Sequence, residues 1–292
     1  MNPMLKKLLL ATLILAPGLA SGQPAAVVEG VQMPAWVERS EAGAAVRRIP
    51  AAPGMELKAG DQLKTGAGSR LLVKLSEGSH VKLGENGTLR VAELAPTKEL
   101  FKGALAVLEG AFRFTTQKVG LGRKRDINIS VSQVTAGIRG TDLWGKSSPN
   151  REIVCLIEGK IEVGAPNETP VTMDQPRQFY RREAGQTQPV GFVEPAQLAE
   201  WAKETEIEQG KGAARAGGRF RVELATVDSQ DAALRVWDQV RAAGYPAVIS
   251  PAIQGDKRIY TVRIRNLPSK AEAEALAAQL KGKHGVSDPK VS

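Results

Sequence analysis

The chain has one cysteine, Cys155, and two histidines, His80 and His284. A single thiol excludes a disulfide within the chain, and two isolated imidazoles leave no cluster with metal-site spacing. Cys155 stands in Ile153-Val154-Cys155-Leu156-Ile157, where a thiol is a small core residue rather than a nucleophile. His80 and His284 have no catalytic neighbours and read as ordinary surface or turn residues. No Gly-x-Ser-x-Gly elbow and no phosphate-cradling glycine loop occurs. Gly120-Leu121-Gly122 leads straight into Arg123-Lys124-Arg125, which reads as a basic loop. These gaps point away from an enzyme, and nothing calls for a cofactor or a metal.

Long apolar runs are also scarce, and no stretch after residue 22 is long enough to span a bilayer. The one early run, residues 8–16, follows Lys6 and Lys7 and is broken by Pro17-Gly18 before Ala20, Ser21 and Gly22. That pattern predicts a secretory signal peptide over residues 1–22, cleaved after Ala20 or Gly22. With no cysteine near the cleavage region, no lipid anchor is expected. The mature chain is expected to be exported to the periplasm, soluble and without a membrane span.

What remains is a 292-residue chain with 42% hydrophobic residues and a net charge of +9, enough for two domains. Aromatics make up 4% and glycine is frequent, which suits a β-rich, turn-rich body. Residues 71–75, 80–83, 88–91, 104–108, 111–115, 127–131, 141–144, 153–157 and 160–163 alternate as short strands. Asn86-Gly87 between two such runs predicts a hairpin. Many short strands with regular turns predict a sandwich, barrel or β-solenoid.

Four pieces of this region occur in a set order. They are Ala59-Gly60-Asp61-Gln62-Leu63-Lys64-Thr65-Gly66, Ser76-Glu77-Gly78-Ser79, Arg139-Gly140-Thr141-Asp142-Leu143 and Glu158-Gly159-Lys160-Ile161-Glu162-Val163. Together they resemble the FecR-type domain of bacterial envelope proteins, over residues 27–184. The resemblance implies an all-β interaction or structural module of sandwich or solenoid-like form, without catalytic residues. Arg139-Gly140-Thr141 is expected to be a tight turn whose glycine takes a conformation denied to other residues. Residues 185–218 read as a helix opened by Pro195 and then a flexible linker.

Residues 219–292 have a different texture. A strand at 220–227 precedes a helix capped by Asp228 or Ser229, with Ala233, Val236, Trp237 and Val240 on its core face. Gly244 ends that helix. Strands at 246–250 and 258–265 follow, then a helix capped by Ser269 with Ala273, Leu276, Ala277 and Leu280 inward. A short fourth strand is offered by 285–291. The order βαββαβ is ferredoxin-like, with both helices on one face and the other face open.

Here Phe220-Arg221-Val222-Glu223-Leu224, Ala243-Gly244-Tyr245-Pro246, Tyr260-Thr261-Val262-Arg263-Ile264 and Ser269-Lys270-Ala271-Glu272-Ala273 resemble the SPOR domain of cell-envelope proteins. The resemblance implies binding of peptidoglycan glycan strands stripped of their stem peptides, often at the division septum. Each stripped muramic acid bears a free lactyl carboxylate, which an arginine fork can grip. Carried over by position, the glycan-binding groove takes Arg221, Glu223, Thr226, Thr261, Arg263 and Arg265. The sequence departs from the family at Glu223, where glutamine is usual, and at Arg265-Asn266-Leu267, where Gly-Pro-Phe is usual. A carboxylate at 223 would repel an anionic glycan unless Arg221 or Arg263 pairs with it. The plainer alternative for these charges is a solvated face with cross-strand ion pairs, each worth about 0.2–1 kcal/mol.

Two other functional classes compete. FecR-type domains also occur in regulators that signal to a cytoplasmic sigma factor, which implies envelope sensing, although only residues 1–7 precede the early apolar run. RNA binding is suggested by the basic balance and the strand order. RNA-binding versions stack bases on strand aromatics, however, and this face offers arginines and Thr261. The expected partners are therefore glycan strands, with an envelope or division protein for the FecR-type domain, and no nucleic acid.

Overall fold

The computed structural model describes residues 23–41, 43–116 and 124–292. The expected signal peptide, and residues 120–123 of the expected basic loop, lie outside them. The first strands are β1 (Ala26–Gln32), β2 (Ala35–Arg39), β3 (Arg47–Pro50), β4 (Gln62–Thr65), β5 (Arg70–Leu75) and β6 (His80–Leu83). They are followed by β7 (Thr88–Pro96), β8 (Leu100–Thr115), β9 (Lys124–Val131), β10 (Val134–Ser148) and β11 (Arg151–Gly164). Next come β12 (Val171–Met173), β13 (Gln178–Glu183), β14 (Gln186–Phe192), α1 (Pro195–Lys203) and β15 (Ala213–Arg215). The C-terminal elements are β16 (Phe220–Val227), α2 (Gln230–Ala242), β17 (Val248–Gln254), β18 (Lys257–Leu267), α3 (Lys270–Leu280) and β19 (Lys290–Val291). The result is a β-rich N-terminal region and a C-terminal region with a βαββαβ pattern.

Strands β1 to β15 form one hydrogen-bonded network. Three of them are far longer than the sequence suggests, because glycines that look like turns are bends within strands. Gly110 in β8, Gly140 in β10 and Gly159 in β11 all have positive φ, at 88°, 61° and 99°. On either side of each bend the strand changes partner. β8 pairs with β9 through residues 100–107 and with β10 through 110–115, while β10 pairs with β9 through 134–138. β11 pairs with β13 before Gly159 and with β12 after it. A Cβ on Gly159 would lie 2.5 Å from the Gly140 carbonyl oxygen, so the two corners lock together. Gly140 therefore takes the left-handed backbone expected of it, but at a bulge inside a strand rather than in a turn.

The Asn86-Gly87 turn forms too, with Asn86 at φ 49°, yet it does not close a hairpin. β6 pairs with the second half of β8 and β7 with the first half. The cause is again the corner: a Cβ on Gly110 would sit 2.6 Å from Gly87 Cα, so the turn is wedged against the bend.

Helix α1 opens on Pro195 as expected and docks by its tryptophan. Trp201 stacks on buried Trp144 with ring centroids 4.7 Å apart and planes 7° from parallel, and Phe179 meets Trp201 edge-on. Cys155 lies fully buried in this same cluster, and burial pushes its thiol pKa up to about 12. It is a core residue, not a thiolate.

The stretch after α1, expected to be a flexible linker, is strapped to both domains. Three alternating carboxylates engage basic residues from four strands. Glu204 Oε2 accepts from Lys146 Nζ at 2.7 Å, Glu206 from Lys82 Nζ and from Arg113 Nη1 at 3.2 Å, and Glu208 faces Arg70 at 3.8 Å. Between them Thr205 is buried and Ile207 packs on Gly30. β15 then pairs with β1. Glu272, buried at the start of α3, accepts hydrogen bonds from the backbone N–H groups of Gly210, Gly212 and Ala213 at 2.6, 2.7 and 2.9 Å. Gly244, which ends α2 with φ 90°, also contacts the β-rich domain: a Cβ there would strike the Trp36 ring at 2.6 Å. The fourteen or so residues after α1 are short enough, and polar enough at alternate positions, to look like a linker, but their charge is matched to the surface beneath.

Candidate functional site

In the C-terminal sheet the strands run β17-β18-β16-β19. Val222, Leu224, Val262 and Ile264 are all but fully buried, and they hold the sheet to α2 and α3. Both helices are built as the sequence implies. Ser229 Oγ accepts from the Ala232 N–H and Ser269 Oγ from the Glu272 N–H, so each helix start is capped by its serine. Ala233 and Val240 of α2, and Ala273, Leu276, Ala277 and Leu280 of α3, face the core. Trp237 is partly buried, and its Nε1–H donates to the Ala247 carbonyl at 2.9 Å, which fixes it as a packing residue. Of the expected fourth strand, Lys290 and Val291 pair with β16, and Ser292 exchanges backbone hydrogen bonds with Arg221 at 2.9 and 3.0 Å.

Alternation places the intervening residues on the opposite, open face. Register then brings all six of the sequence-derived residues together there. Glu223 stands directly across from Arg263 on one side and from Lys290 on the other. A bulge at Leu224 restores the phase so that Thr226 faces Thr261, with their hydroxyls 3.4 Å apart. A second irregularity near Phe220, matched by Asn266 at φ 67°, splays Arg221 and Arg265 at the end of the two strands. Arg221 Nε donates to Ser292 Oγ at 2.9 Å, and Arg265 Nη2 donates to Ser250 Oγ at 3.0 Å.

Arg263 is the centre of the group. Its Nε is buried with no hydrogen-bond partner. Burial, and then the charges of Arg265 and Arg221, lower its pKa from the usual arginine value, while Glu223 opposes them. It remains a guanidinium, held among like charges. Glu223 does not close onto it. The hydrogen bond that Glu223 does accept comes from Ser292 Oγ, at 3.3 Å. Among the described residues no ion pair satisfies these arginines, so the face is not the lattice of cross-strand pairs that the plainer alternative expects. It is a cluster of underused guanidinium donors flanked by hydroxyls.

Ser250, Lys290 and Ser292 belong to this surface and were missed from sequence. Lys290 could have been found, since a fourth strand was expected there, but so short a strand shows no register in its sequence. The contacts with the β-rich domain fall elsewhere: Gly212 packs on Leu276 of α3, and the Ala35 N–H donates to the Gly244 carbonyl at 3.2 Å. A separate groove of about 670 Å³ lies on the helix side, between α2 and the β17–β18 hairpin, with Leu234, Ile249, Ile253 and Tyr260 among its walls. Among the described residues no three His, Cys, Asp or Glu side chains are grouped to hold a metal ion. No helix among them is long and apolar enough to cross a membrane.

Comparison with known proteins supports the two-part reading. Residues 61–162 match the family model described as FecR protein, and residues 216–288 match the SPOR domain. The chain thus carries a FecR domain followed by a SPOR domain, both non-catalytic, envelope-associated families. SPOR domains bind peptidoglycan. Two crystal structures of a proposed anti-sigma factor from Parabacteroides distasonis are also similar. In each case identity is 16%, TM-score 0.40, and the match covers 75% of this chain and 89% of that one. No curated protein matches the chain.

Proposed function

We propose that this is a non-enzymatic periplasmic protein that grips peptidoglycan glycan strands stripped of stem peptides, through the open face of its C-terminal sheet. The observation that carries the reading is the Arg221, Arg263 and Arg265 cluster, held together without carboxylate partners on the face turned away from the other domain. A lactyl carboxylate supplies the missing acceptor, and Thr226 and Thr261 offer hydroxyls to the sugar amides. Glu223 lowers the positive charge of the face without cancelling it. The FecR domain rides on this anchor as an interaction module, strapped to it rather than tethered loosely, and presents a surface to another envelope or division protein.

Sedimentation with sacculi tests the reading. The full chain is expected to co-sediment with amidase-treated sacculi and far less with sacculi whose stem peptides are intact. Replacing Arg263 and Arg265 together by alanine is expected to weaken binding by about a hundredfold or more, since charge-assisted hydrogen bonds contribute about 1.5–3 kcal/mol each. Equal binding by the double variant would refute the site. Septal enrichment of a fluorescent fusion is the expected cellular result, and a uniform periplasmic signal would count against denuded strands as the ligand. The FecR match favours a second reading, an envelope sensor or regulator, in which glycan binding is the input. A response to wall damage that survives loss of the C-terminal sheet would favour that reading over the first.

A further inference from the structure

Resting on the glycan-binding reading, the geometry points to a finer selectivity: we infer that Glu223 makes the face prefer strands whose glucosamine, between two lactyl-bearing sugars, carries a free amine instead of an N-acetyl group. The row Lys290–Glu223–Arg263 runs straight across β19, β16 and β18, because Glu223 is in direct register with both neighbours. Strand spacing puts the backbone positions of the two cations about 9–10 Å apart, with that of the glutamate midway. Charge therefore alternates plus, minus, plus across the sheet. A stripped strand bears its carboxylates on alternate sugars. When two of them meet the flanking cations, the sugar between them lies over Glu223.

Glu223 is open to such a contact. It is half-buried at the centre of the face, and the hydrogen bond it accepts comes from a hydroxyl 3.3 Å away, leaving acceptor capacity unused. Neither flanking cation has collapsed onto it in an ion pair. An N-acetyl group offers it one neutral N–H, whereas a free amine offers an ammonium with three donors. The ammonium is not expelled by Arg263 and Lys290, because the strand's own carboxylates sit over those cations. Like charges are thus kept apart by a ligand whose pattern interleaves with that of the protein. A strand with carboxylates and no amine leaves Glu223 facing only neutral donors.

The test uses the full chain and amidase-treated glycan strands in two forms, fully re-acetylated with acetic anhydride and N-deacetylated, at mildly acidic pH where the amine is charged. The wild-type chain is expected to bind the deacetylated strands about tenfold more tightly, as an ammonium–carboxylate ion pair replaces an amide–carboxylate hydrogen bond. Glu223→Gln keeps the shape of the side chain and is expected to bring the ratio of the two affinities to about one. Glu223→Ala should behave alike. Equal binding of both strands by the wild-type chain, or a preference that persists in both variants, overturns the inference and leaves the glycan reading standing. Binding to neither strand form removes the glycan reading itself, and this selectivity with it.

Discussion

Arg113 and Arg263 occupy similar strand positions in the two domains and have opposite surroundings. Arg113 donates to both oxygens of Asp142, at 3.0 and 2.7 Å, and reaches Glu206 of the strap. That hydrogen bonding to Asp142 raises its pKa above the usual arginine value. Arg263 has no carboxylate closed onto it, and burial with two neighbouring arginines pulls its pKa down. The same side chain is thus finished in one domain and unfinished in the other. Cations that meet carboxylates at the strap hold the architecture, and those on the open face, with no carboxylate closed onto them, are the ones the proposed glycan binding would use. Replacing members of the two groups should separate stability from binding.

The largest effect on stability is expected at Glu272, where the strap is pinned to α3. Glu272→Ala strands three backbone N–H groups that the carboxylate now satisfies, two of them buried bonds. A buried donor left unpaired costs about 1–3 kcal/mol, so a loss of about 3 kcal/mol or more is expected in urea unfolding. Glycan binding by the protein that remains folded should be unchanged. A variant that kept its stability and lost glycan binding would invert the comparison.

A smaller effect is expected when Glu204, Glu206 and Glu208 are all replaced by glutamine. Lys82, Arg113 and Lys146 are partly exposed, and buried Arg70 meets an exposed Glu208 only at 3.8 Å, so the ion pairs together should contribute only about 1–2 kcal/mol at low ionic strength. The difference from wild type should vanish near 1 M salt, where the screening length is about 3 Å. Protease cleavage after α1 should quicken in the variant at low salt, because the strap is held there by charge. Loss of stability that is indifferent to salt would mean that Thr205 and Ile207, not the carboxylates, hold the strap down.

The same contrast explains how much was legible in the sequence. Period-two and period-3.6 patterns report which face of an element is buried, so Val222, Val262, Ile264, Ala273 and Leu276 were found as core, and the outward residues between them followed as the candidate site. Capping serines announced both C-terminal helices. What alternation does not carry is partner choice. Gly110, Gly140 and Gly159 looked like ends of strands, because a residue that permits positive φ serves a turn and a corner equally well. Asn86-Gly87 marked a real turn, but which strands it joined depended on the Gly110 bend 23 positions later. The strap failed for a related reason. Glu204, Glu206 and Glu208 have the texture of a solvated linker until the basic residues of β5, β6, β8 and β10 are set beneath them. Lys290 and Ser250 entered the site through register alone.

The smallest effect is expected at an ion pair that belongs to neither group. Arg151 Nη2 donates to Glu183 Oε1 at 2.7 Å on the solvent-facing side of β11 and β13. Hydrogen bonding to Arg151, and then its charge, hold the Glu183 carboxyl below the usual carboxylate range. Because the folded state binds this proton less tightly than the unfolded state, the contribution of the pair is present at neutral pH and is lost as pH falls through the folded pKa. Arg151→Ala should move the Glu183 carboxyl resonance back to an ordinary titration midpoint in NMR. It should flatten the acid limb of the stability profile only slightly, since both groups are solvated. A shift in glycan binding on this change would show that charge anywhere on the molecule tunes the open face. Its absence would leave Arg221, Arg263 and Arg265 as a local device, set by what their own strands place beside them.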